Sequence, residues 1–274
     1  MSEQNPQDRF TKTPVAYQMP GVDRVAVQAD IQFRGADGSP LPMDVYLPPD
    51  MQNGDRRPAV VIVEGYPDPG FEKMFGMKFK QIAAVSSWGR LIAASGLVAV
   101  AYANREPVAD LDAVLDHVEK NVSSLGIDGS RVGIWASSGH VPLALSALMR
   151  RRSLKCAALL YPMTLDLDGG TGIATAATLF RFANPTAGKT VEDLPAATPL
   201  FIGRAGKDEM PGLLEALDRF VTKALARNLP ISLVNQPEGL HAFDLYQDSA
   251  RSREVVRSVL AFLRSHLSLD RISG

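Results

Sequence analysis

The sequence predicts an α/β fold: a mostly parallel central sheet, opened by an antiparallel hairpin and covered by helices on both faces. Three observations carry that prediction. Short runs of consecutive apolar, β-branched residues recur along the chain, the pattern of strands buried on both faces. Segments with apolar residues at helical spacing alternate with them, which implies βαβ units. The first two strand-like segments, by contrast, flank a turn and read as a hairpin.

Val25 to Phe33 alternates apolar and polar residues, as a half-buried strand does, and Met43 to Leu47 follows the turn Asp37-Gly38-Ser39-Pro40. Ala59 to Val63 is continuously apolar and reads as a buried strand. The same holds for Leu97–Tyr102, Arg131–Trp135, Cys156–Tyr161, Leu200–Gly203 and Ile231–Val234. Between them, helices are expected near 79–95, 109–122, 141–151, 213–227 and 252–267. Residues 1–22 read as an irregular arm, and 23–274 as one domain. The rhythm breaks only at 162–197, a stretch rich in Thr, Ala, Gly and Pro. It is too long for a plain connector and reads as a small cap-like insertion over the carboxyl edge of the sheet, with a short helix at 173–182.

The 274 residues are 46% hydrophobic and 22% charged, an ordinary globular balance. Twenty-nine basic against 30 acidic residues leave a net charge of -1, which argues against a nucleic-acid partner. The one cysteine, Cys156, excludes an intramolecular disulfide. No secretory leader and no membrane span is evident, so a cytoplasmic location is expected. No ligand cluster calls for a metal, and no cofactor is expected.

The stretch Gly133-Ile134-Trp135-Ala136-Ser137-Ser138-Gly139-His140 takes a strand into a helix across two serines. A serine on such a sharp turn stands clear of the sheet, and the helix N-terminus behind it offers N–H groups to an oxyanion. The pattern for this turn is G-x-S-x-G. Centred on Ser138 it reads Ala-Ser-Ser-Gly-His, and centred on Ser137 it keeps one glycine but places Trp135 in the crowded position. Ser138 is favoured, because Ala is the mildest replacement for Gly and Pro142 then falls nearer the first helical turn, where proline is tolerated. The alternative is that both serines only cap the helix.

A nucleophilic serine needs a base, and the base needs an orienting acid, in the chain order Ser, acid, His. Of the four histidines, His117 reads as solvated on a helix, His140 follows Ser138 too closely, and His266 ends the last helix. His241, in the loop Glu238-Gly-Leu-His-Ala-Phe-Asp244, lies where the order requires it. Asp208 follows the strand 199–203 and is the candidate acid, with Glu209 its neighbouring alternative and helix capping its other reading. The turn Glu64-Gly-Tyr-Pro-Asp-Pro-Gly70 follows the strand 59–63. There Gly65 allows close backbone approach, and the Tyr66 N–H, with that of Gly139, is the candidate oxyanion-hole pair.

These segments resemble an α/β-hydrolase of the dienelactone-hydrolase-like and acetyl-esterase-like kind: "RVGIWASSGH" the nucleophile turn, "RAGKDE" the acid loop, "EGLHAFD" the histidine loop, "VEGYPDPG" the oxyanion turn. The resemblance covers about 25–267. It implies Ser138 as nucleophile, Asp208 as acid, His241 as base, and Tyr66 and Gly139 as oxyanion donors. Dienelactone hydrolases use a cysteine nucleophile, and Cys156 lies in another strand. Glu64 stands where lipases have His-Gly-Gly. The expected function is therefore a serine esterase acting on small carboxylic esters. A lactonase, thioesterase or amidase with the same triad, or a non-catalytic ligand-binding protein of the same fold, are the alternatives. The insertion and the arm are expected to roof the pocket, with Phe75, Met77, Leu179, Phe180 and Phe182 as candidate lining.

Overall fold

The computed structural model of the chain describes residues 6–268; residues 1–5 of the arm and 269–274 of the domain lie outside the described residues. The hairpin forms where its turn chemistry places it, as β1 (Ala26–Arg34) and β2 (Pro40–Leu47). Six further strands follow among the described residues: β3 (Arg57–Ile62), β4 (Val98–Tyr102), β5 (Ile127–Ser137), β6 (Ala157–Leu160), β7 (Leu200–Ala205) and β8 (Ile231–Gln236). They form one eight-stranded sheet in the order β1-β2-β4-β3-β5-β6-β7-β8. β2 pairs antiparallel with β1 and β4, and every other pairing is parallel.

The continuous apolar runs are explained by two-sided burial. Along β3, Ala59 and Val61 face one layer of the core while Val60 and Ile62 face the other. All four are fully buried, and each large aliphatic side chain so placed contributes about 1.5–3 kcal/mol. Nine helices cover the sheet among the described residues: α1 (Pro6–Lys12), α2 (Asp68–Phe75), α3 (Ala83–Ala94), α4 (Pro107–Lys120), α5 (Val141–Arg150), α6 (Gly172–Phe180), α7 (Leu213–Ala226), α8 (Phe243–Tyr246) and α9 (Ala250–Leu267). The apolar stripes of α4, α5 and α7 pack on one face, and those of α3 and α9 on the other.

Several elements differ from the sequence-based expectation. The arm is not wholly irregular: α1 occupies it, and the Ala16 N–H donates to the Asp244 carbonyl at 2.8 Å, tying it to the body. The turn after β3 continues into α2, with Pro69 in its first turn, where a missing N–H costs nothing. The single helix expected at 79–95 is a short 3-10 turn at Phe79–Gln81 followed by α3, because Ile82 between them is extended. β5 begins at Ile127 rather than 131, since Arg57 pairs with Ile127 ahead of a register shift. His117 is half-buried, its ring 6.2 Å from that of Phe33, rather than solvated. The stretch 162–197 holds α6 at the carboxyl edge, its first turn fixed by Asp166, whose carboxylate accepts the N–H groups of Ile173 and Ala174 at 2.9 and 2.8 Å. Among the described residues no helix is long and apolar enough to cross a membrane.

Candidate active site

β5 ends at Ser137, which is still extended, and Ser138 then turns sharply with φ +49. A positive φ is rare for a residue with a side chain, and it marks the strained residue of the turn as Ser138. A single 3-10 turn, Ser138–His140, leads into α5, with Pro142 in the first helical turn. The Met163 N–H donates to the Ser138 carbonyl at 3.2 Å.

Three side chains from three loops meet here. Ser138 Oγ lies 2.8 Å from His241 Nε2. His241 Nδ1 lies 2.8 Å from Asp208 Oδ2. The other Asp208 oxygen accepts the Met210 N–H at 3.0 Å, and the Asp208 side chain is fully buried. Glu209, its neighbour, is exposed. The two contacts on the imidazole fix its orientation: a carboxylate on Nδ1 leaves Nε2 to face the serine.

The turn after β3 packs directly on the serine turn. A Cβ on Gly65 would lie 3.0 Å from both the Gly139 carbonyl oxygen and His140 Cα. Close approach requires glycine there, in agreement with the sequence-based expectation. The Gly65 N–H donates to His140 Nδ1 at 2.8 Å, and its carbonyl accepts the Ala183 N–H at 2.8 Å. His140 is buried, and burial holds its imidazole down to about 3, so the ring is neutral and Nδ1 is a lone-pair acceptor. His140 is therefore not the base; it clamps the two turns together. Tyr66 follows Gly65 in this turn; its hydroxyl lies 2.6 Å from where a Gly139 Cβ would be, and its side chain lines the cavity. The ring stacks 6.0 Å from Phe79 and meets His140 edge-on at 4.9 Å.

Asp68, which the sequence marks only as part of a turn, accepts the N–H groups of Phe79 and Asn104 at 2.8 and 2.9 Å, and Asn104 Nδ2 donates to the Tyr66 carbonyl at 3.1 Å. Glu64 is fully buried and does not line the cavity. Burial, with the charge of Asp68 adding to it, raises its carboxyl well above the usual range.

A cavity of about 770 Å³ opens at Ser138 and His241, within the range of pockets that take drug-sized ligands. Its walls are mainly apolar and descend on the α3/α9 face of the sheet, between the aromatic side chains of Phe71, Phe79, Trp88, Trp135 and Tyr161. Of the expected lining residues, Phe75, Leu179 and Phe180 are present, and Phe10 of α1 joins them. Met77 and Phe182 are not. Gly76, at φ +71, ends α2 and takes Met77 into contacts with the core. Arg181, at φ +62, ends α6 and turns Phe182 inward; its ring packs 5.9 Å from Tyr66 and within 2.7 Å of where a Gly139 Cβ would lie. Among the described residues no three His, Cys, Asp or Glu side chains are grouped to hold a metal ion.

No protein-family model matches the chain, and no curated protein matches it in sequence. Solved structures do match. A mutant of esterase rPPE superposes with a TM-score of 0.70 at 15% identity, covering 93% of this chain and 87% of that one. EstE1, a thermostable carboxylesterase cloned from a metagenomic library, gives 0.66 at 18% identity over 92% of both chains. An esterase from Pyrobaculum calidifontis gives 0.64 at 21% identity, covering 88% and 85%. The chain has the α/β-hydrolase fold. The serine turn, acid loop and histidine loop lie at the carboxyl ends of β5, β7 and β8 of that fold.

Proposed function

We propose that this protein is a serine hydrolase that cleaves small carboxylic esters through an acyl-enzyme. The observation that carries the reading is the continuous chain Asp208–His241–Ser138, with both contacts at 2.8 Å, opening onto an apolar cavity. The solved structures of this fold named above are esterases, and the reading agrees with them.

In this mechanism, His241 Nε2 takes the proton as Ser138 Oγ attacks the ester carbonyl. Asp208 holds the ring and stabilises the imidazolium. The N–H groups of Gly139 and Tyr66 receive the oxyanion, helped by the N-terminus of α5. Collapse of the tetrahedral intermediate expels the alkoxide, which takes the proton from His241 and leaves as the alcohol. Water, deprotonated by His241, then attacks the acyl-enzyme. Breakdown of the second tetrahedral intermediate returns the proton to Ser138 and releases the carboxylic acid. No metal or cofactor enters these steps.

A fluorophosphonate probe tests the reading whatever the natural substrate. The protein should label and lose p-nitrophenyl butyrate hydrolysis in parallel, peptide mapping should place the adduct on Ser138, and Ser138→Ala should abolish both. An adduct on Ser137 would move the nucleophile to that residue. No adduct and no turnover would favour a non-catalytic ligand-binding protein.

A further inference from the structure

Residues that line the cavity and are also exposed mark its mouth: Phe10, Met74, Leu179, Phe180 and Arg181. The walls carry hydroxyl and indole groups, those of Tyr66, Tyr246 and Trp135 among them. Among the described residues they carry two carboxylate or guanidinium side chains, Asp244 and Arg181. Asp244 is buried and fully engaged, one oxygen accepting the Tyr161 hydroxyl at 2.9 Å and the other accepting Trp88 Nε1 at 2.9 Å. The Arg181 guanidinium has no hydrogen bond or ion pair among the described residues. Acidic groups of the neighbouring segments are committed elsewhere. Asp68 accepts two backbone N–H groups, Glu72 pairs with Lys78 at 3.1 Å, and Asp208 contacts His241. α6 itself has no charged residue, and Glu209 is exposed and does not line the cavity. The charge left facing a ligand at the mouth is therefore the single cation of Arg181.

The backbone beneath that cation is fixed to the proposed oxyanion turn. The Ala183 N–H donates to the Gly65 carbonyl at 2.8 Å, and the Phe182 ring packs 5.9 Å from that of Tyr66. Arg181 closes α6 at φ +62, a position where glycine is the usual residue. Glycine there would relieve the strain and remove the cation from the wall. A cation at a helix end also complements the helix dipole, but that role needs no place on the cavity.

We infer that the cavity selects esters bearing a carboxylate on the half that projects to its mouth, with the Arg181 guanidinium receiving that carboxylate. The inference rests on the esterase reading and narrows its substrate class. The apolar half of such an ester descends between Phe79, Trp88 and Trp135, and the charged half stays at the rim. The anion is then never carried into apolar walls, where an unpaired charge would be costly. A guanidinium fits a carboxylate through two parallel N–H···O bonds, a geometry that an ammonium lacks. Arg181 is thus a specificity residue and takes no part in the proton transfers.

The test is a ratio of kcat/KM values at pH 7 within pairs in which an isopropyl group replaces the carboxylate at the same shape. Monomethyl glutarate against methyl 5-methylhexanoate probes the acyl half, and 4-acetoxybutanoate against 4-methylpentyl acetate probes the alcohol half. Wild-type protein should hydrolyse the anionic member of one pair, and Arg181→Gln should lower its ratio to the uncharged member about tenfold. Arg181→Lys, which keeps the charge and loses the fork, should fall between. Raising the ionic strength from about 20 mM to about 0.5 M should lower the wild-type ratio and leave that of Arg181→Gln nearly unchanged. Each ratio is internal to one variant, so a general loss of rate or of folded protein does not move it. A ratio that survives Arg181→Gln overturns the inference alone. So does an equal fall in Arg9→Gln, whose guanidinium lies 4.7 Å from the centre of the Tyr246 ring, since that would mark a diffuse field rather than a contact. Failure to hydrolyse either anionic ester while fluorophosphonate labelling is intact also overturns it alone. Absence of both hydrolysis and labelling overturns the esterase reading with it.

Discussion

Gly65→Ala adds one methyl group between the two turns proposed to form the oxyanion hole. That carbon would sit 3.0 Å from the Gly139 carbonyl oxygen and 3.0 Å from His140 Cα. Both are backbone atoms, so no side chain can rotate away, and the turns must separate by a few tenths of an ångström. Overpacking of this kind costs about 1–3 kcal/mol, against a total stability on the order of 5–15 kcal/mol for a domain. The variant should therefore remain folded. The same movement stretches the Gly65 N–H bond to His140 Nδ1, 2.8 Å long in the native turn. It also shifts the Tyr66 N–H away from that of Gly139. Loss of one oxyanion donor costs about 10²–10³ in kcat, and a displaced donor loses part of that. The expected result is a fall of about 10²-fold in kcat on p-nitrophenyl butyrate, little change in KM, and a urea midpoint shifted by no more than the packing cost. Wild-type kcat in a variant destabilised by about 1–3 kcal/mol would refute the placement of the oxyanion hole.

The remaining predictions concern the acid and the clamp. Asp208→Asn should lower kcat by about 10³–10⁴-fold, since the amide no longer holds the required tautomer. Glu209→Gln, at an exposed position, should stay within a few-fold of wild type, and the reverse ranking would move the acid to Glu209. Burial depresses His140 from 6.5 to about 3. Between those values the unfolded chain binds a proton at this residue and the folded chain does not. Its contribution to stability is therefore intact above pH 6.5 and is lost as pH falls toward 3, by up to about 1.4 kcal/mol per unit. In His140→Gln, urea denaturation at pH 7 and pH 5 should show a shallower loss than wild type. Equal slopes would count against a neutral, buried His140.

The legible parts of this molecule are those where a side-chain period or a chain order leaves few alternatives. The runs at 59–63 and 97–102 fit only two-sided strands, and Ser138, Asp208 and His241 fall at three strand ends in the required sequence. The elements that escape such reasoning are built by contacts distant in the chain. The Pro-Asp-Pro-Gly stretch at 67–70 carries turn residues, yet it opens α2, because Asp68 reaches Phe79 and Asn104 and fixes the entry to the helix. Phe180 and Phe182 are near neighbours of the same type, and only the left-handed Arg181 sends one to the cavity and the other to the core. The position of His140 in the chain marks it as unfit to be the base, but its role depends on a glycine 75 residues earlier.

Several loops of the molecule share one physical device, and two of them, those of Asp68 and Asp208, adjoin the candidate site. Asp68 accepts two backbone N–H groups, from Phe79 and Asn104. Asp110 accepts three, from Ala36, Arg105 and Glu106. Asp166 accepts those of Ile173 and Ala174, and Asp208 that of Met210. In each case a carboxylate satisfies N–H groups that an irregular segment would otherwise leave unpaired. Charge-assisted bonds of this kind are about twice as strong as neutral ones. Regular strands and helices satisfy themselves, but the proposed catalytic groups sit on the segments between them. A site whose donors must be fixed before charge develops gains from rigid loops. Here that rigidity comes from aspartates placed along the loops. Replacing such an anchor with alanine should therefore lower kcat before it unfolds the sheet, because the strands are held by apolar burial and the turns by these carboxylates.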